Sequence, residues 1–133
     1  MEDSKLIVSV AITKEGKYLI VLRARDGTYP GVWEFPAGKV MEGEKLSQAV
    51  VREVREEVNL KLKKLQYVGE TKRSLRGNAV IHHFAAGRGG STIKLSKEHA
   101  DYKWADKAAI LGMKPGVDVG QDTLAYFTLK NRV

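Results

Sequence analysis

The chain contains no cysteine, so neither a disulfide framework nor a thiolate metal site is open to it. A fold of 133 residues must then rest on its own apolar core, which a chain of this length can build. The absence fits a reducing compartment, and a cytoplasmic location is the expectation. No apolar run approaches the roughly 20 residues that cross a bilayer. Met1-Glu2-Asp3-Ser4-Lys5 starts acidic instead of basic and then apolar, so no secretory leader is expected. Repeats, low-complexity tracts and linkers are also missing, which points to one domain over residues 1–133. Acids are the scarcer charge: 16 Asp+Glu stand against 23 Lys+Arg, a net charge of +7. That excess suits a polyanionic ligand such as a phosphorylated metabolite or a nucleic acid, although scattered bases also serve solubility.

What is present is ordinary for a globular protein: 43% hydrophobic and 29% charged residues. Leu6 to Ile12 reads as a buried strand, Glu15-Gly16 as a turn and Tyr18 to Leu22 as the returning strand. Asp26-Gly27 and Pro30-Gly31 mark an exposed loop, and Val32 to Phe35 is a short extended piece stopped by Pro36. A helix over Lys45 to Val58 comes next. Leu62 to Thr71 and Asn78 to Ala86 read as strands joined by a turn over residues 73–77, and Gly87-Arg88-Gly89-Gly90 as a flexible loop. Tyr102 to Ala105 is a further short strand. Asp106 caps a brief helix over Lys107 to Leu111, and a last helix starts between Asp118 and Asp122 and runs through Leu129. Strands mixed with two or three helices give an α+β fold or a helix–sheet–helix sandwich.

The stretch from Gly38 to Leu60 carries the most information. At about 100° per residue, Val50, Val51, Val54 and Val58 form one arc, which docks on the sheet. Lys45, Gln48, Arg52 and Arg55 form a solvent-leaning arc. Glu53, Glu56 and Glu57 form a third, with small Ala49 one turn earlier leaving room for a bound group. Like charges at this spacing destabilise an isolated helix. Either arginine pairing, as between Arg52 and Glu56, or a bound cation must gather them. Glu44 sits at the helix start, where the dipole favours an anion. Gly38 and Gly43 bracket a loop whose backbone can approach a ligand closely.

Gly38, Glu44, Arg52-Glu53, Val54, Glu56-Glu57 and Leu60 stand at the spacing of the Nudix box, and the chain resembles that family. Gly31-Val32-Trp33-Glu34-Phe35-Pro36 is similar to the strand leading into the box, and Trp104 to an aromatic on a late strand. Asn59 departs, replacing the final glycine. Asparagine is the next best residue in the left-handed conformation that ends helices, so an intact site at a small stability cost is expected. The resemblance implies a Nudix-type α/β/α sandwich with a mixed β-sheet between helices. It also implies Mg²⁺-dependent hydrolysis of a pyrophosphate bond in a nucleoside diphosphate linked to another group, with Mn²⁺ able to substitute. Magnesium suits the residues, being a hard cation that bridges carboxylates and phosphates.

By the same resemblance Glu53 and Glu57 are the primary metal ligands, and Glu56 and the Gly38 carbonyl are further ones. Arg52 orients a glutamate through an ion pair, and Glu44 anchors the loop to the helix. Glu98 is a candidate additional ligand or general base; the alternative is an exposed loop residue. Arg23 and Lys39 are candidates for gripping phosphates, Arg23 by a bidentate fork, and Gln121 for reading a base edge. Phe35, with Trp33, is placed either to stack on a base or in the core. His82 and His83, on opposite faces of a strand, are expected to be structural.

Val32 to Lys39 looks most like the MutT-type branch that cleaves (deoxy)nucleoside triphosphates, oxidised ones included, to a monophosphate and pyrophosphate. At 133 residues the extra N-terminal domain common in ADP-ribose hydrolases is not expected. Leu75 stands where those carry a proline, and no tyrosine nearby marks a dinucleoside polyphosphate hydrolase. ADP-ribose and dinucleoside polyphosphates remain the alternative substrates. A non-catalytic nucleotide- or RNA-binding domain is a further alternative, disfavoured because the box carboxylates all survive. The expected partner is a small nucleotide, with neither nucleic acid nor membrane, and the expected state a monomer or homodimer.

Overall fold

Lys5–Lys14 (β1) and Lys17–Arg23 (β2) form the expected antiparallel hairpin. Glu15 and Gly16 both take positive φ, 52° and 78°, the turn whose twist matches that of the flanking strands. The two strands pair directly only at Thr13–Tyr18 and Lys14–Lys17. The chain that follows then bridges the strands' open ends. Trp33–Glu34 (β3) pairs with Val21 and Leu22, and Ala37–Lys39 (β4) pairs with Ile7 to Ser9. Residues 5–74 and 77–132 of this computed structural model are described. Met1 to Ser4, Leu75, Arg76 and Val133 lie outside them, and with these the reading of the N-terminus, the Leu75 comparison and the middle of the expected 73–77 turn.

After β4 come the helix Leu46–Val58 (α1), the long strands Leu62–Arg73 (β5) and Ala79–Arg88 (β6), and His99–Ala105 (β7). Two further helices, Lys107–Leu111 (α2) and Gln121–Lys130 (α3), follow. The sheet order is β3-β2-β1-β6-β5, with β4 also on β1 and β7 also on β2. β6 runs parallel to β1 while the other pairs are antiparallel. The sheet is therefore mixed, as expected for the α/β/α sandwich.

Alternation along the central strands sends apolar side chains both ways. Val8, Val10 and Ile12 of β1, with Leu19 and Val21 of β2, pack against Val50, Val54 and Val58 of α1. Ala11 and Ile20 face a second cluster with Phe35, Ile110, Val119, Tyr126 and Phe127. Each fully buried valine of α1 contributes roughly 1.5–3 kcal/mol relative to exposure.

Several expectations needed correction. Val51, placed on the docking arc, is 52% exposed, because the apolar stripe is narrower than the arc drawn for it. Ala49 opens no room for a ligand: it is fully buried in the valine core. The glycine loop before the helix is partly a strand, β4, whose ladder to β1 supplies the order that its sequence lacks. β6 runs through Gly87 and Arg88, so the loop begins later than read.

Candidate active site

The helix α1 ends as its sequence requires. Asn59 takes φ 60° and ψ 33°, its N–H reaching the carbonyls of Val54 and Arg55, and its Nδ2 donates to Thr92 O at 3.0 Å. At the other end Gln48 Oε1 accepts the Lys45 N–H at 2.9 Å. A helix fixed at both ends carries the carboxylates at defined depth beside β4.

Those carboxylates are not equivalent. Glu57 is buried, and its Oε2 accepts the Ala37 N–H at 3.2 Å. Glu53 packs on Gly38 so tightly that a Cβ there would land on its carboxylate; glycine is needed for this approach, not for a turn. Glu56 points outward, its side chain 58% exposed. Glu98 is exposed in the loop before β7, and its charge is felt by both Glu53 and Glu57.

Arg52 ties the group together. Its Nε and Nη2 donate to the two oxygens of Glu44 at 2.8 and 3.0 Å, and its Nη1 to Glu53 Oε1 at 2.7 Å. Its Nη2 also reaches Lys39 O at 2.9 Å, and its Nη1 reaches Glu56 at 3.3 Å. Hydrogen bonding from Arg52, with the Met41 N–H, holds Glu44 down to about 2. Glu44 thus closes the loop onto the helix, accepting from Met41 N at 3.0 Å.

Burial raises Glu53, and Arg52 only partly offsets it. Burial raises Glu57 far more, and the charges of Glu34, Glu53 and Glu98 add to the effect. Packed acids of this kind are the chemistry a divalent cation relieves, since its charge replaces the lost hydration. With the neighbouring Gly38 backbone they fit a hard divalent ion.

Two residues not singled out in the sequence join them. His99 Nε2 lies 3.0 Å from Glu34 Oε2, and His99 Nδ1 lies 3.7 Å from Glu57 Oε1. The ligand atoms of Glu34, Glu57 and His99 fall within 4.8 Å of one another. Glu34 could have been noticed as a carboxylate set between two aromatics in a strand. His99 gave no signal, because only the β2–β7 pairing brings it to Arg23 and the site.

Beside this cluster lies a cleft of about 690 Å³, lined among others by Lys5, Arg23, Glu34, Gly38, Lys39 and Gln121. The structure uses two of the expected binders differently. Arg23 spends its fork internally, with Nη1 on Glu34 at 3.0 Å, Nε on Thr28 O at 2.6 Å and Nη2 on Thr28 Oγ1 at 2.8 Å. Phe35 is 1% exposed, its ring packed on Tyr18, Tyr126 and Phe127 at centroid distances of 5.8, 5.6 and 5.9 Å. No face of Phe35 is open for a base; its residue acts by anchoring, the N–H donating to Thr123 Oγ1 of α3 at 2.9 Å. Trp33 carries Lys103 Nζ 4.4 Å over its ring. Lys39 and Gln121 are exposed on the cleft. His82 and His83 contact the Tyr67 and Thr71 hydroxyls at 2.7 Å across the β5–β6 ladder, the first pair exposed and the second partly buried.

The NUDIX domain model matches residues 3–126. The CTP pyrophosphohydrolase of Escherichia coli K12 is 35% identical over 58% of this chain and 57% of its own length. The 8-oxo-dGTP diphosphatase of Buchnera aphidicola is 32% identical over 78% of each chain. A NAD-capped RNA hydrolase, NudC, from Photobacterium profundum is 30% identical over 81% of this chain but 40% of its own length. The chain therefore spans less than two thirds of two of these relatives. Among solved structures, a MutT NUDIX hydrolase from Burkholderia pseudomallei superimposes with TM-score 0.81 and 20% identity, over 96% of this chain and 98% of that one. At that identity the likeness speaks for the fold. Among the described residues no helix is long and apolar enough to cross a membrane.

Proposed function

The chain belongs to the Nudix family of hydrolases acting on nucleotide pyrophosphate bonds, and from that premise we propose that it cleaves a (deoxy)nucleoside triphosphate, an oxidised one included, to a monophosphate and pyrophosphate with Mg²⁺. The observation that carries this reading is the adjacency of the Glu53–Glu57 cluster to an open, cation-bearing cleft through the shared Gly38 strand.

Glu53, Glu57 and the Gly38 carbonyl would hold the ion, with Glu56 and Glu98 as outer ligands. When bound, a divalent cation neutralises phosphate charge and makes its water a stronger nucleophile. The chain's own residues do the rest. Arg52 fixes Glu53, and Glu44 fixes Arg52. Lys39 and Lys5 place positive charge where a polyphosphate enters the cleft. Gln121, at the start of α3, is positioned to meet a base. Glu98 Oε is the proposed acceptor for the proton lost by the attacking water.

The test is turnover of a nucleotide panel with Mg²⁺, with products identified. The panel should hold CTP, dGTP, 8-oxo-dGTP, ADP-ribose, a dinucleoside polyphosphate and NAD-capped RNA, since a NAD-capped RNA hydrolase is 30% identical over 81% of this chain. A triphosphate cleaved fastest, with pyrophosphate released, is the expected result. Preference for ADP-ribose or a capped RNA would overturn the substrate, and turnover of none would overturn the enzyme reading for this chain.

A further inference from the structure

His99 is an outlier among the residues around the carboxylates. Its side chain is only 2% exposed, so both ring nitrogens are out of reach of bulk water. Nε2 is satisfied by Glu34 Oε2 at 3.0 Å, but Nδ1 has no hydrogen-bond partner. It faces Glu57 Oε1 at 3.7 Å, too far for a hydrogen bond. A buried, unsatisfied ring nitrogen carries a cost that native proteins seldom leave standing.

The pairing has a chemical reading. An imidazole that ligates a metal through one nitrogen commonly gives its other N–H to a carboxylate, which fixes the tautomer and the ring plane. Glu34 occupies that carboxylate position, and it is itself held by Arg23 Nη1 at 3.0 Å. With Nε2–H donated to Glu34, Nδ1 keeps its lone pair toward Glu57. Metal–nitrogen and metal–oxygen bonds of about 2.1 Å each would close the 3.7 Å gap at a bent angle of roughly 120°.

We propose that His99 Nδ1 and Glu57 Oε1 are the protein ligands of a divalent transition-metal subsite, with Glu34 as the carboxylate that orients the imidazole. The subsite adjoins the magnesium-type carboxylates and shares Glu57 with them. It rests on the proposed function only in taking Glu57 as a metal ligand, and it does not depend on which nucleotide is hydrolysed. A nitrogen donor moves selectivity away from magnesium and toward zinc-like ions.

Pulsed EPR on the full chain loaded with Mn²⁺ alone reads the nitrogen directly. Wild type should show ¹⁴N coupling, which changes to the ¹⁵N pattern when histidine is ¹⁵N-labelled. The coupling should persist when His82 and His83 are both replaced by glutamine and vanish in His99→Gln. In calorimetry Zn²⁺ affinity should fall ten- to a hundred-fold in Glu34→Gln, the usual effect of losing an orienting partner, and should fall more than Mg²⁺ affinity does. No histidine coupling in the labelled wild type would overturn the subsite, as would coupling that survives His99→Gln or an equal loss of Mg²⁺ affinity in Glu34→Gln. These readouts need no substrate, so they stand even if the nucleotide panel is not turned over. Conversely, triphosphate hydrolysis without nitrogen coupling removes the subsite and leaves the enzyme reading intact.

Discussion

Arg52 Nη1 lies 2.7 Å from Glu53 Oε1. The contact is one arm of a guanidinium whose other nitrogens hold Glu44 and the Lys39 carbonyl. A single cation thereby sets both the position of the loop and the rotamer of the half-buried Glu53 carboxylate. Lysine cannot reproduce this, having one compact charge and no rigid fork.

Arg52→Lys should keep the fold and lower kcat/KM about 10- to 100-fold, the scale of losing a partner that orients a metal-site carboxylate. Steady-state kinetics with circular dichroism checks this. A variant with full activity would reduce Arg52 to a surface ion pair.

Gly38→Ala should harm activity more than stability. The new Cβ meets the Glu53 carboxylate, the movable end of a side chain, so the clash is relieved by displacing that proposed ligand and not the backbone. A displacement of this order can cost about 10²-fold in turnover. Comparing kcat with Tm separates the two effects.

Glu57→Gln should lower turnover on the order of 10²-fold or more, the scale of one preorganised electrostatic group. Its Oε1 can still accept the Ala37 N–H, and the buried charge is gone. Without metal the variant should melt no lower than wild type, whose charged Glu57 is disfavoured by burial and by Glu34, Glu53 and Glu98. A scanning calorimetry pair, metal-free, decides it.

His83 makes stability depend on pH. Burial, with a smaller contribution from His82, lowers it from 6.5 to about 4. The unfolded chain therefore takes up a proton that the folded chain refuses between those values. Stability should be full above about 6.5 and decline as pH falls toward about 4, by up to about 3 kcal/mol from this group. Urea titrations from pH 7 to pH 4 should show a shallower decline in His83→Gln than in wild type.

Much of this protein is legible in its sequence. The hairpin, the capped helix α2 with Asp106 Oδ1 accepting from Ala109 N at 2.8 Å, and the left-handed stop at Asn59 all follow from residues adjacent in the chain. So does the clustering of Glu53, Glu56 and Glu57, since helical period alone puts them on one side. The fold class followed from the same local signals, joined by the resemblance of the box.

Contacts distant in sequence were not legible there. Periodicity placed Val51 with the buried valines, but the width of the buried stripe depends on what packs against it. It also could not rank the glutamates by depth; β4 buries Glu57 and leaves Glu56 in solvent, because that strand pairs with β1. Arg23 looked free to grip a phosphate until the β2–β3 pairing put Glu34 beside it, and Phe35 looked available until α3 closed over it. His99 had no local signal at all. The sequence alone settled which helix bears the acids and where it starts and stops, because those are properties of neighbours a turn apart. Only the tertiary structure decided which acids are buried and which histidine meets them, because burial and electrostatics depend on distances between strands far apart in the chain.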